Sequence, residues 1–172
     1  MTTVGALENT PVGTIRVAAS AAGLVVVSMW DDDDRFAAEV ARLTGRALDP
    51  DAPPGPIVIQ ALTELDAYLR SELREFTTPI DWSILKPFQR AALELVCAVP
   101  YGRTTTYGAI ARQMGRPGAV RAMGQANANN PIPIIIPCHR ILGADGKLHG
   151  YGARGGLETK AWLLRLEGSW LI

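Results

Sequence analysis

The stretch Asn130-Pro131-Ile132-Pro133-Ile134-Ile135-Ile136-Pro137-Cys138-His139-Arg140 carries a cysteine out of an apolar run and sets a histidine and an arginine directly behind it. Free cysteine is most often inert core, and a cysteine in an Ile-rich run invites that reading. Two features oppose it here. The polar pair His139-Arg140 ends the run, which places Cys138 at a boundary. Pro131, Pro133 and Pro137 forbid a regular helix and remove backbone donors, so the segment reads as a rigid extended loop, the kind of element on which reactive groups sit. A thiol is a nucleophile only as thiolate, and an adjacent imidazole and guanidinium are groups that would raise the thiolate fraction. The chain holds only two cysteines and two histidines, which makes one adjacent pair informative.

Upstream of this loop the apolar spacing is helical. Thr106 reads as a cap, with Tyr107, Ile110, Ala111 and Met114 recurring at the period of a helix. Gly115-Arg116-Pro117-Gly118 is a tight turn, and a second helix follows over residues 119–128. Helix, short turn and helix form a helix-turn-helix pattern, although other helical hairpins share it. Arg121 falls near the start of the second helix among the small residues Val120, Ala122, Gly124, Ala126 and Ala128. It either contacts nucleic acid or lies in solvent beside a small-residue packing face; these residues alone do not choose. Before this pair, Pro87 suits a first helical turn, with Phe88, Ala91, Ala92, Leu95 and Val96 as its buried stripe. Cys97, on the same helix, reads as core.

The first half is organised differently. Residues 12–18 and 24–30 read as a β-hairpin, and Asp31 to Asp34 as the acidic start of a helix reaching Leu43 with Phe36, Val40 and Leu43 on one face. Residues 47–56 form a Pro-rich connector, residues 57–73 a helix, and residues 76–82 an extended segment. No chemistry is visible there.

Bulk properties bound the function. With 172 residues, 48% hydrophobic and 20% charged, this is an ordinary globular chain with room for one domain or two small ones. No apolar stretch approaches the roughly 18 residues of a membrane span, and the first residues lack the features of a signal peptide. Two distant cysteines make no disulfide framework, so cytoplasm is the expected compartment. The zero net charge hides a division: 6 Lys/Arg against 13 Asp/Glu in residues 1–82, and 11 against 4 in residues 83–172. A basic second half suits a polyanion; mutual attraction of two oppositely charged domains is the alternative.

These residues together resemble the methylated-DNA–protein-cysteine methyltransferases, or O6-alkylguanine-DNA alkyltransferases. The resemblance rests on Pro137-Cys138-His139-Arg140 behind Asn130-Pro131, on Pro87-Phe88-Gln89, Val99-Pro100-Tyr101-Gly102, Thr106-Tyr107-Gly108 and Ala119-Val120-Arg121-Ala122-Met123-Gly124, and on Leu163-Leu164-Arg165-Leu166-Glu167-Gly168. Thr10-Pro11-Val12-Gly13-Thr14-Ile15 adds the family's opening hairpin. It implies an α+β protein: a small N-terminal α/β domain of ribonuclease-H-like topology over residues 1–82, then a mainly helical, winged-helix-like DNA-binding domain over residues 83–172.

The resemblance also implies roles. Cys138 would accept the alkyl group, His139 would take its proton through a water, Glu167 would orient the imidazole, and Asn130 would hold the turn. Arg121 would enter the base stack from the minor groove, with Val120, Ala122 and Gly124 beside it against the DNA. Tyr107 would bind the DNA by pressing on the phosphate beside the target and later donate to the flipped base; with Tyr151, Pro133 and Ile141 it would line the base pocket, and Lys160 would support the loop. The implied partner is double-stranded DNA containing alkylated guanine, with O4-alkylthymine a further candidate and cooperative binding on DNA left open. The protein would act as a monomer, without cofactor or metal and away from membranes, each molecule once.

One departure from the family pattern is the run Gly150-Tyr151-Gly152-Ala153-Arg154-Gly155-Gly156, two residues longer than usual, so preference for alkyl size does not carry over. Cys97, Cys138, His139 and His149 lack paired metal-ligand spacing. Two other classes remain to be set against alkyl transfer. One is a helix-turn-helix protein that binds DNA lesions without chemistry; its non-catalytic relatives replace the cysteine. The other is a Cys–His hydrolase, for which the helix pair has no purpose.

Overall fold

Three extended runs open the chain: β1 (Thr3–Thr10), β2 (Gly13–Ala19) and β3 (Leu24–Ser28). They form an antiparallel sheet in the order β1-β2-β3. The structure is a computed structural model and describes residues 1–29, 32–151 and 156–169. Within these, the chain divides into two compact units, Met1–Leu85 and Lys86–Ile172.

Strand β1 is absent from the sequence expectation because Gly5, Ala6, Glu8 and Asn9 have poor strand propensity. Pairing with β2 makes it a strand: Thr3 to Leu7 run opposite Ala19 to Ile15, and the register then shifts before Thr10 meets Gly13. Asn9 takes φ 57 within that irregularity. Helix α1 (Asp33–Thr44) starts where the acidic cluster predicts: the Asp32 carboxylate accepts from the Arg35 N–H, and Phe36 and Val40 are buried. It packs on β3, while α2 (Pro56–Leu69) packs on β1 and β2. A Cβ on Gly5 would stand 2.8 Å from Val58 Cγ1 and 2.9 Å from Leu62 Cδ1, so glycine allows α2 this close to β1.

Helix α2 ends four residues before the expected residue 73. Ser71 turns left-handed at φ 60, the Ser71 N–H donates to the Tyr68 carbonyl and the Glu72 N–H to that of Ala67. This is the Schellman closure, which ends a helix whatever the apolar pattern beyond it. The segment expected to be extended over residues 76–82 pairs only at Ile80, beside Leu24, and then enters a 3-10 turn at Trp82–Ile84.

Glu64 fastens that segment to α2. Its carboxylate accepts from the Thr77 N–H and Oγ1 (3.0 and 2.5 Å), the Thr78 N–H and Oγ1 (3.1 and 2.7 Å) and Gln60 Nε2 (3.1 Å). Burial alone would raise its pKa, but these donors outweigh it and hold the group below the usual carboxylate value.

The second unit is helical. Helices α3 (Pro87–Cys97), α4 (Tyr107–Gln113) and α5 (Val120–Ala128) pack on one another, and α6 (Leu157–Leu166) packs on a 3-10 turn at Cys138–Arg140. The two-residue strands β4 (Thr105–Thr106) and β5 (Ile141–Leu142) pair in parallel and tie the start of α4 to the backbone just after the cysteine. On α3 Ala92 and Val96 of the expected stripe are buried and Leu93 joins them, whereas Ala91 is exposed and Leu95 half-buried. Phe88 is only half-buried and carries the Arg116 guanidinium 5.8 Å from its ring centroid. Cys97 is not core: it is exposed on the helix's final turn.

Among the described residues no helix is long and apolar enough to cross a membrane. Trp30, Asp31 and residues 152–155 of the longer loop lie outside the described residues.

Replacing Glu64 with glutamine is expected to lower unfolding free energy by about 1 kcal/mol at neutral pH, the difference between charged and neutral acceptors. Because the folded pKa is lowered, that contribution is whole above the ordinary value of 4.5 and fades as the pH falls through the folded one. Denaturant melts at pH 7 and pH 3 check both points.

Candidate active site

Prolines and one asparagine shape the loop that ends in Cys138. Asn130 Oδ1 accepts from the Ile132 N–H at 2.9 Å and its Nδ2 donates to the Ile136 carbonyl at 3.0 Å, so a single side chain clips both ends of the Ile run. Between them Ile134 stands at φ 71, uncommon for a β-branched residue, and is fully buried. Pro133 is buried opposite Ile136, and Ile141 is buried on β5.

The expectation of a boundary position for Cys138 needs correction. Cys138, His139 and Arg140 are 3%, 0% and 6% exposed, and they form a 3-10 turn rather than extended backbone. Polar side chains can follow the apolar run into the core because a buried carboxylate meets them. Glu167, in the turn closing α6, has Oε1 2.8 Å from His139 Nε2. Arg140 donates from Nε to Oε2 at 2.9 Å and from Nη2 to Oε1 at 2.8 Å, and from Nη1 to the Val99 carbonyl at 2.6 Å. The Gly102 N–H reaches Oε2 at 3.4 Å.

This arrangement overturns the role expected for the guanidinium. Arg140 is bound to Glu167 and Val99, and does not activate the thiol. Burial pushes Cys138 up to about 11; the Asn130 side chain and the Lys160 charge oppose that rise without cancelling it. The same burial lowers His139, against the raising effect of Glu167, which leaves a neutral imidazole at physiological pH. With Nε2–H given to the carboxylate, Nδ1 is the basic nitrogen.

Lys160 is fully buried on α6 and its Nζ donates to the Ile141 carbonyl (2.7 Å), the His149 carbonyl (2.9 Å) and Tyr107 Oη (3.4 Å). Burial brings it down to about 8. Tyr107 Oη also donates to the His149 carbonyl at 3.2 Å. The hydroxyl of Tyr151 is buried with no partner among the described residues, and burial raises its pKa, followed by the charges of Cys138 and Glu167.

The outer face of α5 stands apart from this cluster. Val120, Arg121 and Ala122 are exposed, and a Cβ on Gly124 would meet nothing within 4 Å. Met123, Ala126 and Asn127 form its inner face. Sequence reasoning missed Asn127, whose Nδ2 donates to the Cys138 carbonyl at 3.1 Å. The signal was there: a polar residue four positions after Met123, on the side of α5 that turns inward.

Fold and site together define a class: a buried cysteine beside a His–Glu pair, directly behind two helices joined by a short turn. Comparison with known proteins makes this specific. Residues 4–82 match the ribonuclease-like domain of 6-O-methylguanine DNA methyltransferase and residues 87–169 match its DNA-binding domain. The methylated-DNA–protein-cysteine methyltransferase of Methanosarcina acetivorans is 35% identical over 95% of this chain and 97% of its own. Those of Mycobacterium leprae and Mycolicibacterium paratuberculosis are 48% and 50% identical over 67% and 62% of this chain, and those alignments span 68% and 63% of the relatives' lengths. The crystal structure of Mycobacterium tuberculosis O6-methylguanine methyltransferase superposes with TM-score 0.77 at 37% identity, covering all of this chain and 96% of that one. That of M. tuberculosis OGT in complex with DNA gives 0.76 at 38%, covering 96% and 92%. The chain belongs to the 6-O-methylguanine DNA methyltransferase family.

Two outcomes follow from the site. Glu167→Gln leaves Arg140 buried with a neutral partner and is expected to cost about 3 kcal/mol of stability, measured by denaturant melts. With Cys97 replaced by serine, iodoacetamide should modify DNA-free Cys138 slowly at pH 7 and about tenfold faster per pH unit up to about pH 10, as a thiol held near 11 requires.

Proposed function

We propose that this protein repairs DNA by moving the alkyl group from O6 of a guanine, swung out of the duplex, onto Sγ of its own Cys138. The observation that carries this reading is the buried His139–Glu167 contact of 2.8 Å directly behind the only buried cysteine among the described residues, within this family's two units. The relatives that match are named for the same reaction.

The chemistry assigned to each group follows from its surroundings. A thiol held near 11 must lose its proton as it attacks, so neutral His139 takes it on Nδ1 through a bridging water while Glu167 stabilises the imidazolium. The S–C bond forms as the C–O6 bond breaks, in line, and guanine departs with the electron pair over O6 and N1. Tyr107 supplies a proton to the leaving base, and Lys160, held to about 8 and 3.4 Å from Tyr107 Oη, is suited to replace it. The product is a thioether, and no second nucleophile stands by among the described residues to release it, so each molecule acts once.

Delivery of the base falls to the second unit, residues 83–172 in the sequence reading, and the first, residues 1–82, is assigned no step. Arg121, at the exposed start of α5, fills the vacated stack from the minor groove, with Val120, Ala122 and Gly124 pressed to the backbone. Tyr151, Pro133 and Ile141 line the pocket, and Asn130 holds the loop's shape. A monomer in the reducing cytoplasm suits two free thiols. The binding-only alternative is disfavoured by the retained cysteine.

Intact-protein mass after incubation with O6-methylguanine duplex tests this reading. One added methyl per chain is expected, and none for Cys138→Ser. More than one methyl, or continued turnover, would refute it. Arg121→Ala should slow transfer from duplex about 10- to 100-fold, the scale of losing help with flipping, and leave transfer from the free base unchanged.

A further inference from the structure

Asn127 is 2% exposed on the inner face of α5, and its Nδ2 donates to the carbonyl of the nucleophile itself. That bond sets the amide's orientation, because the reverse would place Oδ1 against a carbonyl oxygen. Oδ1 is therefore a buried acceptor, and it has no partner among the described residues. Native interiors hold few such groups, and each calls for an explanation. The same amide also opposes the rise that burial gives the Tyr107 hydroxyl. It thus stands between the backbone of Cys138 and the residue assigned to the base. Sγ and Oδ1 are both closed off in the free protein, so an opening that brings an alkyl carbon to the sulfur also uncovers the amide bonded to that same residue.

The chemistry of the lesion says what could meet this acceptor. Alkylation at O6 removes the hydrogen from N1 of guanine. The exocyclic 2-amino group is then the only N–H donor left on the base. An O4-alkylated thymine has no N–H at all and offers a carbonyl oxygen instead. Resting on the alkyl-transfer reading above, we propose that Asn127 Oδ1 is a specificity-determining acceptor for the 2-amino group of the flipped O6-alkylguanine. Arg121 and Asn127 occupy opposite faces of one helix, so a single rigid element both engages the duplex and reads the base.

The test compares single-turnover transfer from duplexes carrying O6-methylguanine or O6-methylhypoxanthine, which differ only in the 2-amino group. A site built around a hydrogen bond rejects an analogue lacking it. The wild-type protein should prefer the guanine lesion by about tenfold or more, and Asn127→Leu, similar in size but without the acceptor, should bring the preference to within about twofold. Any general weakening of the loop by this substitution slows both lesions alike and cancels in the ratio. A preference that survives in Asn127→Leu overturns the proposal. Equal rates for the two lesions in the wild type overturn it without any variant, should Asn127→Leu fail to fold. Transfer from neither lesion overturns the alkyl-transfer reading itself, and so the two failures are told apart.

Discussion

One buried carboxylate organises the second unit. Glu167 meets the imidazole of His139 and the guanidinium of Arg140 at 2.8–2.9 Å, with its side chain wholly removed from solvent. Taking these groups out of water is costly, and the cost is offset because the geometry is bidentate, the Val99 carbonyl accepts from Arg140 Nη1 and the Gly102 N–H donates to Glu167 Oε2. The same contact that lets Cys-His-Arg enter the core therefore also fixes which imidazole nitrogen is basic. Stability and reactivity share a single atom pair, so neither can be altered alone.

Burial, rather than this carboxylate, keeps the Cys138 thiol protonated at rest. A thiol near 11 has about one molecule in ten thousand ionised at pH 7, and oxidants or stray electrophiles find almost no thiolate to attack. In the proposed single-use reaction, a low idle reactivity preserves Cys138 for the intended transfer. The proposed ionisation coupled to attack, with neutral His139 as acceptor, reconciles an inert resting thiol with a competent one. Lys160 joins the same logic from the other side. Burial makes its proton available near 8, and its contacts hold the backbone of Ile141 and His149 around the site.

Helix α5 couples two surfaces within three turns. Its outer face is small and open at Ala122 and Gly124, while its inner face delivers Asn127 to the nucleophile's carbonyl. Gln89 of α3 adds a donor to the Asn129 carbonyl at 3.1 Å, tying the end of this helix to its neighbour. A rigid helix with one face outward and one on the catalytic turn places the site by backbone geometry rather than by loop flexibility.

Much of this was readable along the chain. Helix starts at Asp32, Pro87 and Thr106 follow from capping and proline chemistry, which is local. The helix-turn-helix follows from apolar spacing, and the Cys138–His139 pair from two rare residues placed side by side. Strand β1 was not readable, since its residues become extended only when β2 supplies partners. Nor was the end of α2, where backbone closure at Ser71 overrides an apolar pattern that continues. The sequence alone determined which groups could react and which helix presents them, because caps, turns and periodicity act over a few residues. Only the tertiary structure decided what each group does: that Arg140 serves Glu167 rather than Cys138, that the thiol rests protonated, that Cys97 faces out and that Asn127 faces in. Desolvation and pairing between residues tens of positions apart set those outcomes, and neither exists until the chain has folded.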